Sequence, residues 1–429
     1  MDKFMNQVEK RLVPIAMKLD SNRYLAAIKD GFFVVMPLLI IGSIFLLITQ
    51  LPFDPYLNFM QKILGDDWTS YFLTVNNMSM NLMTIFVVLG ISKSLSKHYE
   101  LDTGGAQVVS LFAFFILTPL VKDTNGLDGL PVGNFGAAGL FIGMIAAILA
   151  VEIFNVVIKR GWEIKMPDSV PPNVANSFSA LIPALFVGII FNFIRIGFAL
   201  TPFLTAHDFI FQVLQKPLLS LGSSLPAVII LLFFESLLWC FGIHGSNIML
   251  AVMTPIWTAL SVENAEAFAT GGVLPNIVNL QFYSNFIKLG GTSGTIGLAI
   301  VCFWFAKSRQ YKTLGKLGFG PALFNINEPL IFGVPIVLNP IMMIPFILTP
   351  QVLGILTYIV MKLNIVPITN GILVPWTMPP IFSGFVLSGW RGSVFQILEI
   401  ILSVAIYYPF FKMQDNKALQ LENSPKAID

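Results

Sequence analysis

Apolar runs of roughly 20 residues, each long enough to cross a bilayer, recur along most of this chain and constrain its fold more than any other feature. Only 11% of its 429 residues are charged, against about a quarter in soluble domains. An all-α polytopic membrane protein follows, because lipid leaves helices and closed barrels as the only spanning structures. Spans are expected near 31–50, 72–92, 105–121, 136–158, 178–200, 225–243, 289–306, 331–349, 352–363 and 394–411, about ten transmembrane helices. The stretches "DSNRYLAAIKDGF" and 203–222 read as interfacial amphipathic helices. Residues 412–429 read as a polar, disordered cytoplasmic tail.

The basic loops orient the chain. "SKSLSKHYELD" (92–102), "KRGWEIK" (159–165) and "KSRQYKTLGK" (307–316) read as cytoplasmic, whereas 51–70, with Asp54, Asp66 and Asp67, fits the outside. Both termini then lie inside. The N-terminus lacks a signal-peptide pattern. A net charge of +2 leaves no general nucleic-acid footprint. Cys240 and Cys302 sit in apolar runs without disulfide or metal spacing, and read as buried small hydrophobes.

Four segments break the apolar pattern. "FNINEPLIFGVPIVLNP" (324–340) carries Glu328, Asn325, Asn327, Asn339 and prolines 329, 335 and 340. Non-helical backbone at membrane depth is tolerated only where it is buried in protein or lines a wet cavity. A carboxylate there costs about 2.5–3.5 kcal/mol on insertion scales, so Glu328 is expected in a polar site; the plainer alternative is a carboxylate at a helix end. "ESLLWCFGIHGSNIM" (235–249) gathers Trp239, His244, Ser246 and Asn247 around glycines that let backbone approach a ligand. Glu235 lies nine residues from His244, and on a continuous helix it points away. "GGVLPNIVNLQFYSNFIKLGGTSGTIGL" (271–298) alternates Asn276, Asn279, Gln281 and Asn285 with apolar residues. Its "GGTSGT" turn contains Gly291, Thr292 and Ser293, and reads as a re-entrant hairpin or as a helix-packing glycine patch. "NGILVPWTMPPIFSGFVLSGW" (370–390) offers Trp376 as a cavity wall or an interfacial anchor.

Carboxylate, imidazole, amides and indoles are the mixture a pyranose needs: rings stack on aromatics and hydroxyls bond the polar groups. Amino acids and nucleosides share some of these demands. No HExxH, GxSxG or paired-carboxylate motif points to hydrolysis, and no cofactor or metal site is expected. Asn76, Asn77 and Asn81 in the second span read as helix–helix hydrogen bonding.

"NINEPLIFGVPIVLNP" closely resembles the NEP-x-x-F-G-x-P signature of enzyme IIC, the membrane component of bacterial phosphoenolpyruvate-dependent sugar phosphotransferase systems. "MPDSVPPNVANSFSALIP" (166–183), "FGIHGSN" and "VPWTMPP" match the lactose/cellobiose/diacetylchitobiose branch in the same order. The resemblance implies a homodimer, with residues 1–222 forming a dimer-interface scaffold and 223–411, with two re-entrant hairpins, binding one disaccharide. It implies elevator-like transport and phosphorylation at a C6 hydroxyl by a separate phosphocysteine subunit, enzyme IIB, so that this chain is not itself the enzyme. No fused IIB domain is expected, and neither cysteine is expected to carry phosphate. Glu328 and His244 are expected to hold the hydroxyl, and Trp239 and Trp376 to contact the rings. Asn247, Asn279, Asn325, Asn327 and the Gly291–Thr292–Ser293 turn complete the expected site. The competing readings are an ion-coupled sugar carrier with Glu328 as proton site, and a membrane enzyme acting on a lipid-linked sugar.

Overall fold

The computed structural model describes residues 13–51, 54–122, 126–164, 167, 178–334 and 336–423. Pro335 and, of the 166–183 motif, residues 166 and 168–177 therefore lie outside the described residues. Among these residues, seven helices are long and apolar enough to cross a membrane, or up to nine when each of two bent pairs counts as one span. The chain forms two units.

The first unit comprises Asp20–Leu221 and Ala251–Val262. Its helices are α1 (Arg23–Thr49), α2 (Asp54–Leu64), α3 (Trp68–Met80), α4 (Met83–His98), α5 (Thr103–Leu117), α6 (Leu140–Lys159) and α7 (Leu181–Ala199). Asn22 caps α1, its Oδ1 accepting from the Tyr24 and Leu25 amides. "DSNRYLAAIKDGF" therefore starts the first span instead of lying along the interface. Asn76 donates to the Gly42 carbonyl at 3.1 Å, tying α3 to α1. After α5 a two-stranded antiparallel ribbon pairs β1 (Val121–Lys122) with β2 (Asp128–Gly129), Val121 opposite Gly129. The Tyr99 hydroxyl bonds Glu152 of α6 at 2.5 Å, and the Arg23 guanidinium lies 5.0 Å from the Tyr99 ring. Burial, then Glu152, push the Tyr99 phenol above its usual range.

Ala206–Gly222, written α8, passes through a π-helical segment at Ile210–Gln215 and ends beside α9 (Leu225–Cys240). The 203–222 stretch thus contributes to a bent pair that is apolar enough to be one span. α10 (Gly245–Ala269) is a candidate span that the apolar runs do not reveal. Thr254, Thr258, Ser261 and Asn264 are buried in protein along it, so its polar residues never meet lipid and hydropathy undervalues it.

The second unit contains the described residues of Met1–Leu19, Gly222–Leu250 and Glu263–Asp429. It holds α9, both ends of α10, a π-helical turn at Phe282–Ile287, and α11 (Ile296–Phe305). It also holds α12 (Arg309–Leu323), α13 (Glu328–Gly333), α14 (Pro340–Lys362) and α15 (Phe382–Asn423). The segments Phe282–Gly294 and α11 meet at 53°. The two spans expected at 331–349 and 352–363 are one helix: α14 continues through Pro345 and Pro350. Prolines are tolerated inside membrane helices when neighbours satisfy the freed backbone.

Between α14 and α15 the chain runs without helix from 365 to 379, yet Thr369, Ile372 and Leu373 are at most 1% exposed. Amide side chains satisfy this buried backbone. Asn264 Nδ2 donates to the Asn276 and Thr369 carbonyls at 2.8 and 2.9 Å, and its Oδ1 accepts from the Asn276 amide at 2.9 Å. Asn370 donates to Val386 O, and Gln396 Oε1 accepts from the Ile381 and Gly384 amides. Cys240 and Cys302 are free and buried in the apolar core with Leu298, Phe346 and Phe411.

Residues 412–423, expected as a disordered tail, continue α15. Asp415 accepts from the Lys307 and Ser308 amides at 2.7 and 3.0 Å, and Glu422 from those of Arg309 and Gln310 at 3.0 and 3.1 Å. Acidic side chains there answer the unsatisfied amides at the start of α12, which orders the segment.

Replacing Asn264 by alanine removes three hydrogen bonds to backbone at once, to the Asn276 amide and carbonyl and to the buried Thr369 carbonyl. The expected loss is at least about 2 kcal/mol, taking the low end of 1–3 kcal/mol per unsatisfied buried group, read as a lowered thermal midpoint of the purified protein. Asn264→Asp should be milder, because it keeps the acceptor to the Asn276 amide.

Candidate functional site

The site is built in the second unit where α9 ends. Residues 241–244 break the helix and turn the chain back, so that α10 starts against the end of α9. A Cβ on Gly245 would lie 2.2 Å from the Glu235 carbonyl; only glycine permits this approach. His244 caps α10 as its Nδ1 accepts from the Asn247 amide at 3.2 Å. That bond assigns the proton of the neutral ring to Nε2. The exposed imidazole therefore presents an N–H donor, with its ring centroid 4.3 Å from that of the buried Trp239.

Beneath these rings lies a charged core. Glu235 is 2% exposed, and its Oε1 pairs with Lys288 Nζ at 2.7 Å, the one salt bridge among the described residues. Glu235 Oε2 accepts from the Tyr283 hydroxyl at 2.8 Å, and Lys288 also donates to that hydroxyl at 2.9 Å. Ser246 donates to Glu235, accepts from Lys288 at 3.0 Å and from Trp239 Nε1 at 3.2 Å, and lies 2.9 Å from Thr292 Oγ1. The Trp239 indole is thus oriented through Ser246 by a compensated charge pair.

The turn carrying Thr292 is held from the other side by two asparagines. Asn325 Oδ1 accepts from the Gly290 amide at 2.8 Å, while its Nδ2 donates to the Trp376 and Met378 carbonyls at 2.6 and 3.0 Å. Asn327 Nδ2 donates to Thr292 O and Thr295 Oγ1, both at 2.8 Å. Gly291, at φ +103°, sits where a Cβ would lie 2.5 Å from Asn327 Cγ, so the latch closes only over glycine. Glu328 follows Asn327 directly and opens α13 with an exposed side chain. It lies within electrostatic reach of His244, as do Lys288 and Glu235. Trp376, 52% exposed, is placed beside this latch through its own carbonyl.

The structure sorts the expected site residues into two kinds. Trp239, His244 and Thr292 gather on one network; Glu328 and Trp376 stand exposed next to the asparagines that close it. Asn247 keeps an unbonded side-chain amide among the described residues, one turn into α10. Asn279, Asn325, Asn327 and Ser293 belong to the frame. Asn279 is fully buried, bonded to Thr369 Oγ1 at 2.7 Å and accepting from the Gln281 and Phe282 amides, which leaves it no group to offer a ligand. Ser293 faces Ser236 at 2.9 Å, and its carbonyl accepts from Tyr407.

Glu235, Lys288 and Tyr283 were not among the expected site residues. The continuous helix assumed for 235–244 does not exist, and the turn brings Glu235 back under His244. A usable signal was present, since Lys288 is the only charged residue between Gly271 and Phe305. A lone intramembrane lysine demands a partner, and Glu235 is the carboxylate of the same unit in a facing apolar run.

The model of the phosphotransferase system EIIC family matches residues 29–350, three-quarters of the chain. The chain belongs to that family. It is a multi-pass membrane protein of the permease type. It is 41% identical over 439 residues to the lichenan permease IIC component of Bacillus subtilis, an alignment covering all of this chain and 97% of that one. It is 39% identical to the cellobiose-specific EIIC component of Geobacillus stearothermophilus, covering 100% and 98%. The crystal structure of ChbC, the IIC component of the N,N'-diacetylchitobiose-specific system, superposes with a TM-score of 0.93 at 38% identity, covering 97% of this chain and 99% of that one.

Removing one member of the buried pair leaves the other charge uncompensated. Glu235→Ala should lower stability by about 3–5 kcal/mol, whereas Glu235→Leu combined with Lys288→Met should recover most of that loss. Thermal unfolding of the three proteins in the same detergent checks the expectation.

Proposed function

We propose that this EIIC chain binds a β-linked disaccharide of the cellobiose or diacetylchitobiose type and delivers it for phosphorylation at a C6 hydroxyl. The observation that carries the reading is an exposed His244 Nε2–H beside the Trp239 ring, with the exposed Glu328 carboxylate within electrostatic reach of it. A sugar hydroxyl is both donor and acceptor. It accepts from His244, donates to Glu328, and so is held with its oxygen oriented. Trp239 and Trp376 supply apolar faces for the pyranose rings, Thr292 and Asn247 further polar contacts. The names of the relatives point to the same substrate class.

The second unit then acts as the transport domain and the first as the scaffold of a homodimer, with both termini cytoplasmic. The loaded site moves inward in an elevator-like step, and a phosphorylated enzyme IIB presents its phosphocysteine. The C6 oxygen attacks phosphorus in line while its proton passes to the Glu328 carboxylate it donates to, the S–P bond breaks and the thiolate leaves. This chain supplies positioning: an oriented hydroxyl turns a two-body encounter into a near-unimolecular one.

The testing experiment is uptake of labelled cellobiose, diacetylchitobiose and lactose into vesicles, with and without the phosphorelay proteins inside. Accumulation of the 6-phosphate only with the relay supports the reading, and the preferred label names the substrate. Accumulation of unmodified sugar against its gradient without the relay overturns it in favour of an ion-coupled carrier.

Glu328→Gln keeps the shape but loses the charged acceptor. A hydrogen bond to a charged group contributes about 1.5–3 kcal/mol, so binding should weaken roughly ten- to hundredfold by calorimetry, with 6-phosphate formation reduced at least as much. Wild-type binding and uptake in this variant would remove Glu328 from the site.

A further inference from the structure

A concave surface lies in the first unit, and none of its lining residues belongs to the proposed sugar site. α5 and α7 enclose a groove of about 540 Å³, lined by Phe112, Phe115, Ile116, Leu185 and Ile189 among others, with Asn192 and Arg195 also on its wall. We propose that this groove binds an anionic glycerophospholipid, one acyl chain lying between α5 and α7 and the phosphate on Arg195.

α7 is the least buried of the candidate spans, with 17% of its apolar window buried. Its outer face, including Leu181, Leu185, Ile189 and Phe193, is therefore presented to whatever surrounds this unit. Arg195 is the only charged residue in that helix. It forms no hydrogen bond or ion pair with another described residue. A guanidinium has five donors, no acceptor and a permanent charge, and an unpaired one is costly in a span. Arg195 stands four residues before the helix end at Ala199, about 6 Å along the axis, which sets it near headgroup level.

A lone arginine at that depth snorkels to any headgroup layer. Two features add selectivity. Asn192, one turn earlier on the same face, is exposed on the same groove wall and adds an amide donor and acceptor. Gly188 holds the groove open next to Phe112: a Cβ there would lie 3.3 Å from Phe112 Cε1. An apolar slot ending in a guanidinium and an amide matches a lipid with an acyl chain, ester oxygens and a net negative phosphate. A zwitterionic headgroup brings its own cation and competes with Arg195 for that phosphate.

The test is native mass spectrometry of the full-length protein released from micelles containing equimolar phosphatidylglycerol and phosphatidylcholine. Wild type should retain phosphatidylglycerol over phosphatidylcholine by about tenfold, the size of one charge-assisted hydrogen bond. Arg195→Gln should bring the two near parity, Arg195→Lys should keep part of the preference, and Gly188→Leu should reduce retention of both. Elution as a single species and unchanged cellobiose binding verify that each variant is folded. Equal retention of both lipids by wild type, or an undiminished preference in Arg195→Gln, overturns the proposal. So does a disulfide between copies formed by Ile189→Cys in native membranes, since a second copy then occupies the groove.

Discussion

Backbone that leaves the helix inside a membrane must find hydrogen bonds within the protein, and the second unit of this chain depends on how that demand is met. The non-helical stretches at 277–279, 288–291 and 366–374 are largely buried, and no strand pairs them. Asparagine and glutamine side chains take the place of the missing ladder, because a carboxamide offers both a donor and an acceptor at the end of a short, stiff arm. Asn264 joins the 276 and 369 stretches, Asn325 joins 290 to 376 and 378, and Gln396 joins 285 to 381 and 384. Each crosslinks segments far apart in the chain, so the unwound regions form one frame.

On that frame the Glu235–Lys288 pair sets the orientation of the groups above it. A buried charge pair gives little net stability, but this one organises Ser246, Tyr283 and, through Ser246, the Trp239 indole. The ring that packs on His244 is therefore aimed by a pair that is largely buried. His244 and Glu328 carry the exposed polarity and Trp376 the exposed aromatic face, all resting on elements whose own hydrogen bonds are already satisfied.

Much of the fold was legible because lipid simplifies the code. The first five apolar runs all fall on helix, although the second is two helices broken at Asn81–Leu82 and the third, α5, is a shorter apolar helix of 15 residues. Legibility fails where protein replaces lipid as the surroundings. α10 buries threonines, a serine and an asparagine against protein, so its apolar signal is diluted. The prolines of α14 read as breaks, yet the helix carries them. Around the candidate site, chemical type does not tell frame from surface: Asn279, Asn325 and Asn327 look as ligand-ready in the sequence as Asn247. Glu235 escaped because helical phase was extended across a turn where the chain reverses. The C-terminal segment looked disordered because its acidic residues were read without the amides they cap.

Those caps have a mechanical consequence. Asp415 and Glu422 seize the amides that lead into and open α12, so the far end of α15, whose backbone kinks at Ser388–Gly389, is clasped to residues 307–310. The helix end cannot swing independently of those residues. A probe attached at the exposed Leu421 would therefore report on the position of α12 as a pointer fixed at its base.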